Sequence, residues 1–182
     1  MRASLMIASA SLALSSGVAT PPAGVQAQGR HGRVDCELQE NGSPASGTMV
    51  VHRGSRQVTT GSCGTPVRLS AGRYRVTVRL DGALDRPEQH RTVHVRPGRS
   101  ERVTVDFPTG TLRIRVRSNG RRAAGMAIIY RDGDRIGTLG SGVAGHLSTG
   151  TYEVVVRHRA RERRFEDVTL RAGQERTLDV DF

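Results

Sequence analysis

Polar and apolar residues alternate along this chain in short runs of period two. Tyr74, Val76, Val78 and Leu80 fall on one phase, and Arg73, Arg75, Thr77 and Arg79 on the other. Leu112, Ile114 and Val116 alternate with Arg113, Arg115 and Arg117 in the same way. This is the pattern of a strand with one buried face. Gly, Asn-Gly and Pro-Gly punctuate the runs, and no segment shows helical periodicity. Arg131-Asp132-Gly133-Asp134 predicts a tight hairpin between residues 127–130 and 135–139. Arg96-Pro97-Gly98 and Arg171-Ala172-Gly173 predict turns ahead of two further strands. Turn signals at this density predict all-β sandwiches of about seven strands each.

The pattern occurs twice. Leu69-Ser70-Ala71-Gly72-Arg73-Tyr74-Arg75-Val76 is matched by Leu147-Ser148-Thr149-Gly150-Thr151-Tyr152-Glu153-Val154, and Val103-Thr104-Val105-Asp106-Phe107 by Leu178-Asp179-Val180-Asp181-Phe182. Asn41-Gly42, Gly47, Gly64 and Gly72 recur 78 residues later; Arg96 and Gly98 recur after 75. The second copy therefore lacks three residues between its fifth and sixth strands. A regular duplication of this kind fixes architecture better than function. The division it implies is residues 28–107 and 108–182, two tandem units joined by Pro108-Thr109-Gly110. So short a linker predicts a semi-rigid rod.

The repeated unit, with its Leu-Ser-x-Gly-x-Tyr-x-Val and closing Val-Asp-Phe, resembles the prealbumin-type (transthyretin-like) Greek-key sandwiches. These include the carboxypeptidase regulatory-like, Cna-B-type and PEGA domains of exported bacterial proteins. The resemblance covers nearly all of residues 33–182, twice, and implies two seven-stranded Greek-key sandwiches acting as spacers, adhesive modules or accessory domains. Gly72 and Gly150 then serve a turn, and Tyr74 and Tyr152 pack as core aromatics. Cna-B-type domains often carry a Lys-to-Asn or Lys-to-Asp isopeptide bond. This chain has no Lys and makes none.

Composition adds a compartment. Met1-Arg2, the apolar stretch from Leu5 to Leu14, the break at Pro21-Pro22 and the small residues of Val25-Gln26-Ala27 read as a signal peptide, residues 1–27, cleaved after Ala27. A membrane anchor needs about 20 strongly apolar residues, and serine and proline interrupt this stretch. The reading is an exported protein, periplasmic or extracellular, without a membrane span once mature. Cys36 and Cys63 both lie in the first copy, opposite Ile114 and Ser141 of the second. An oxidising compartment makes their disulfide the default, at roughly 3–4 kcal/mol for a span of this length.

All 28 basic residues are Arg, and only Arg2 precedes residue 28, which leaves 27 against 17 acids, a net charge of +10. Such a charge favours acidic or polyanionic partners. Export makes nucleic acid an unsuitable one, so an envelope component or an acidic protein comes first. The densest cluster, Arg157, Arg159, Arg161, Arg163 and Arg164, lies on a hairpin of the second copy and is the candidate anion-binding site. A solvated tip offset by Glu162, Glu166 and Asp167 is the plainer account. Arg113, Arg115 and Arg117 would extend a patch unless Asp179 and Asp181 pair with them across strands.

No catalytic residue, cofactor or metal site is expected. Gly140-Ser141-Gly142-Val143-Ala144-Gly145 matches a dinucleotide fingerprint, but a strand follows it instead of a helix. His90 and His94 share a strand face without the other ligands a zinc site needs. Asp132 and Asp134 belong to a hairpin turn and lack a calcium loop's distal Glu. Exposed stacking rings, required by sugar- and single-strand-binding faces, are scarce: there is no Trp, and Tyr74, Tyr152, Phe107 and Phe182 fall on core phases. The sequence thus predicts a non-enzymatic structural or protein-interaction module of the cell envelope. The alternatives are a polyanion- or carbohydrate-binding module using surface arginines, and an accessory protein of an envelope enzyme complex.

Overall fold

The structure, a computed structural model, describes residues 30–182, so the predicted signal peptide lies outside the described residues. The first unit comprises β1 (His31–Glu40), β2 (Ser43–Pro44), β3 (Gly47–Arg53), β4 (Arg56–Ser62), β5 (Val67–Ser70), β6 (Gly72–Leu80), β7 (Glu88–Val95) and β8 (Ser100–Phe107). The second repeats it as β9 (Thr109–Ser118), β10 (Arg121–Arg122), β11 (Met126–Arg131), β12 (Asp134–Gly140), β13 (Ala144–Ser148), β14 (Gly150–His158), β15 (Arg161–Leu170) and β16 (Glu175–Asp181). β2 and β10 are two-residue extensions, which leaves seven full strands per unit. No α-helix occurs among the described residues.

Each unit is a sandwich of two sheets. In the first, β4-β3-β6-β7 faces a sheet built around β1, with β2 and β5 on one edge and β8 on the other. The second repeats this with β12-β11-β14-β15 facing β10, β13 and β16 around β9. The chain crosses to the opposite sheet at β5 and returns at β6, a Greek-key path. β1 and β8 pair in parallel, as do β9 and β16, an arrangement that alternation along the sequence cannot specify. The predicted apolar phases point inward. Val34, Met49, Val51 and Val76 are fully buried in the first core, and Leu112, Ile114, Ile129 and Val154 in the second.

Local chemistry explains the turns. Asn41-Gly42, Asn119-Gly120 and Asp132-Gly133 all have positive φ at both central positions, the type I′ geometry that matches strand twist and favours Asn-Gly and Asp-Gly. The Leu-Ser-x-Gly-x-Tyr string forms a corner. Tyr74 Oη donates to the Ser70 carbonyl at 2.9 Å, and Tyr152 Oη to the Ser148 carbonyl at 2.7 Å. The intervening Gly72 and Gly150 adopt φ near +150°, and a Cβ there would press on the Arg53 or Arg131 guanidinium at 3.2–3.3 Å. Those guanidiniums sit 5.8 and 5.5 Å from the Tyr74 and Tyr152 ring centres. One repeated motif thus buries a phenol, satisfies its hydroxyl and roofs its ring with a cation.

The sheet edge beside β1 and β9 is closed differently in the two units. The turn after β4 donates Gly64 N–H to the Cys36 carbonyl, and the turn after β12 donates Gly142 N–H to the Ile114 carbonyl. In the first unit the Cys36–Cys63 disulfide locks this contact, with Cα atoms 4.6 Å apart. In the second, Ser141 stands where Cys63 does, and its Oγ accepts the Val116 N–H at 3.0 Å. A covalent staple is replaced by a hydrogen bond.

The junction between the units is more ordered than a linker of three residues implies. Thr109 and Gly110 belong to β9 and pair with β13, so only Pro108 joins the strands. Thr109 is 1% exposed. Its N–H donates to Asn41 Oδ1 at 2.9 Å, and its hydroxyl donates to Glu40 Oε1 and accepts from Asn41 Nδ2. His146 Nδ1 meets the same Glu40 oxygen at 3.0 Å. Residues 81–87, longer than the two-residue turn between β14 and β15, reach across to the second unit. Ala83 packs in the first core, whereas Leu84 packs against the second. Ala83 bridges His146 in parallel, Leu84 N–H donates to the His146 carbonyl at 2.9 Å, and both Asp85 oxygens accept Ser148 N–H. The three residues missing from the second copy are thus part of a clasp in the first.

Candidate functional site

Three groups of residues bear on function: the basic hairpin, the outward face of β9, and the clasp.

The hairpin arginines do not form one cluster. Strand register places Val156 opposite Arg163 and Val155 opposite Arg164, so alternate arginines point to opposite faces. On the outer face Arg157 Nε donates to Glu162 at 2.8 Å and Arg164 Nη1 to Glu153 at 2.5 Å. On the other, Arg163 lies 5.8 Å from the Phe182 ring centre. Phe182 is half-buried at the rim of the second core, beside the His158 ring at 5.6 Å, and less enclosed than its phase predicts. Arg159 occupies the turn with φ 52°, and Arg161 is exposed beside it.

The β9 face carries a more open set of cations. Arg113, Arg115 and Arg117 from β9, Arg122 from β10 and the Ser141-Gly142 turn line a trough of about 750 Å³. Arg113 forms a fixed wall: its Nε donates to Glu175 at 2.8 Å and its Nη1 to the Gly142 carbonyl at 2.9 Å. That hydrogen bond and the Arg113 charge hold the Glu175 carboxyl below its usual range, with a smaller pull from Arg115. Asp179 and Asp181 stand in register beside Arg115 and Arg117 on β16. Among the described residues, however, no ion pair closes between them, and Arg115, Arg117 and Arg122 are exposed without a side-chain hydrogen bond. A second concavity of about 560 Å³, lined by Ser118, Asn119, His158 and Arg159, shares Arg122, Ala123 and Ala124 with the trough. It continues the basic path to the hairpin tip. Arg122 stands out only once the β9–β10 hairpin brings it beside Arg117; its isolated Arg121-Arg122 pair gives no period-two signal.

The same place in the first unit has the opposite charge. There a concavity of about 390 Å³ is lined by Asp35 and Glu37, where the second unit has Arg113 and Arg115. Arg102 approaches both acids at 4.0 and 3.9 Å.

The clasp concentrates partly buried polar groups. The Asp85 side chain is only 7% exposed, with Arg131 at 4.0 Å. Burial, with Asp85 nearby, pushes the Tyr152 phenol up to about 12. Partial burial opposes ionisation of Glu40, but the bonds from Thr109 and His146 together outweigh it and hold the carboxyl below its usual range.

The remaining sequence motifs have structural places. Residues 140–145 end β12, turn and begin β13, with no helix to receive a phosphate. His90 and His94 lie exposed on β7, with His90 Nδ1 3.0 Å from the Thr77 hydroxyl. Among the described residues no three His, Cys, Asp or Glu side chains gather as a metal site.

No family model and no curated protein sequence matches the chain. Solved structures with a similar path include the TIE protein of Bacillus anthracis, at 13% identity and a TM-score of 0.38, covering 84% of this chain and 34% of that one. The minor pilin GBS52 of Streptococcus agalactiae is similar at 10% identity and a TM-score of 0.41, covering 84% of this chain and 94% of that one. The chain spans about a third of the TIE protein's length. At these values the likeness carries no argument about function.

Proposed function

We propose that the chain is an exported, non-enzymatic structural module of the cell envelope, two prealbumin-type sandwiches held as one stiff spacer. The observation that carries this reading is the clasp, in which Ala83 and Leu84, adjacent in sequence, pack into different cores. Spacing requires a fixed angle between units, and a joint with one linking residue, a buried threonine and a bridging loop restrains that angle. The Cys36–Cys63 disulfide suits an oxidising compartment. Its partner is an acidic or anionic component of the envelope, in keeping with a net charge of +10 after residue 27.

Cell fractionation and intact mass test this reading together. The expected product begins at Gln28, carries one disulfide and remains with the envelope. A cytoplasmic product with two free thiols would reject it.

A further inference from the structure

Arg113, Arg115 and Arg117 of β9 and Arg122 of β10 have no part in the core, the disulfide or the clasp, yet they gather in one concavity. We infer that the trough lined by Arg113, Arg115, Arg117 and Arg122 is a binding site for a linear polyanion bearing phosphate or carboxylate groups.

Four observations converge on this ligand. First, Arg115, Arg117 and Arg122 are exposed and make no side-chain hydrogen bond or ion pair among the described residues, so their guanidinium donors are unused. Guanidinium binds phosphate and carboxylate oxygens in bidentate fashion. Second, alternate residues on one strand repeat about every 7 Å, which presents charges as a row suited to a chain of regularly spaced anions. Third, the trough is concave, and a second concavity extends it past Arg122 to His158 and Arg159. A chain lies along such a path; a flat surface does not enter it. Fourth, no Trp, Tyr or Phe lines either concavity, and the one ring on the path, His158, already stands beside Phe182. Recognition therefore falls on charge rather than on stacking of bases or sugar rings.

Asp179 and Asp181 flank the row on the β16 side and do not line the trough. They limit affinity without filling the site. Arg113, held by Glu175 and the Gly142 carbonyl, acts as a positioned wall. The first unit supplies the internal contrast. With the same fold and the same turn, Asp35 and Glu37 face its concavity, so the basic trough is a property of the second unit and not of the scaffold.

The test uses the full mature chain and two soluble probes, poly(glycerol phosphate) for phosphodiesters and polygalacturonate for carboxylates. Vesicles of phosphatidylglycerol and phosphatidylcholine form a third arm. Affinities are measured between 50 and 200 mM salt. The Arg115→Gln, Arg117→Gln, Arg122→Gln variant is compared with Arg56→Gln, Arg73→Gln, Arg75→Gln on exposed positions of the first unit, and with Arg161→Gln, Arg163→Gln, Arg164→Gln on the hairpin. Three ion pairs to a single-stranded polyanion weaken binding by roughly 20-fold over that salt range. The trough variant is therefore expected to lose about tenfold in affinity at 50 mM salt and to flatten the salt dependence. The first-unit variant should lose less than about threefold, and the hairpin variant should fall between them. Whichever polymer binds more tightly identifies the anion. Thermal unfolding checks that all three variants fold, since none of the trough positions is buried. Equal losses from the trough and first-unit variants would overturn the site and leave only general basicity. Losses confined to the hairpin variant would move the site to that tip and also overturn the inference. Vesicle binding that depends on the trough, without polymer binding, would make the ligand a lipid surface and reject the polyanion chain.

Discussion

Asp85 and Ser148 lie 63 residues apart and in different sandwiches, yet both carboxylate oxygens of Asp85 take the Ser148 N–H, at 3.2 and 3.1 Å. The bond meets the strand-end residue whose carbonyl accepts the Tyr152 hydroxyl. A contact between units is thereby tied to the corner that organises the second core.

Replacing Asp85 with Ala removes the acceptor and leaves the Ser148 N–H without it, at a cost of about 1–3 kcal/mol. Spin labels on exposed sites of the two units should report one narrow distance in the parent and a broadened distribution in Asp85→Ala. Far-UV circular dichroism should stay that of a β protein. An unchanged distribution would mean that Pro108 and Thr109 alone set the angle.

The paired closures of the sheet edge differ in strength, and the difference is measurable. Cys36→Ser with Cys63→Ser should destabilise the first unit by roughly 3–4 kcal/mol, the chain-entropy value for a bridge of this span. Ser141→Ala removes one hydrogen bond to the Val116 N–H, so about 1 kcal/mol is expected from the second unit. Denaturant unfolding in reductant should accordingly weaken the first unit and leave the second unchanged. Equal sensitivity of both would contradict the staple.

The strands, the duplication and the Cys36–Cys63 pair were legible because each is written locally, in alternation, in repeated strings or in a lone pair of thiols. The clasp was legible only as an irregularity, the change of offset from 78 to 75. Nothing near Leu84 says that its side chain packs under Gly145, where a Cβ would stand 2.8 Å from a Leu84 methyl. The hairpin arginines form a dense string, but a strand's period of two sends Arg163 and Arg164 to opposite faces. Conversely, Arg122 joins Arg115 and Arg117 only through the β9–β10 turn. Asp179 and Asp181 stand beside Arg115 and Arg117 across the strands, as the alternation implies, but among the described residues these side chains do not close into ion pairs.

The tyrosine corner gives two further expected outcomes. Tyr152→Phe deletes the hydroxyl that donates to Ser148 and should cost about 1 kcal/mol, lowering Tm by roughly 4–8 °C for a unit of this size. Gly150→Ala should cost at least as much. It imposes a side chain at φ 151° and crowds the Arg131 guanidinium at 3.2 Å. Tyr74→Phe and Gly72→Ala are the matching changes in the first unit. If Gly150→Ala proved neutral in calorimetry, the glycine would be dispensable to the corner.

Acid should loosen the junction through Glu40. Its carboxyl is held below the usual range because the hydrogen bonds from Thr109 and His146 together outweigh the opposing effect of partial burial. A carboxyl whose folded pKa is depressed stabilises the folded arrangement above its unfolded pKa, and that stabilisation is lost as pH falls through the folded value. The Glu40 contribution is thus fully present at neutral pH and fades below about pH 4, the ordinary range of a glutamate. The distance distribution between the two units should be narrow at pH 7 and broaden on acidification. Glu40→Gln keeps the shape of the side chain but removes its charge, so it should show some broadening at pH 7 and a weaker further response to acid. If the variant broadened with acid as steeply as the parent, Glu40 would not be the group through which acid loosens the junction.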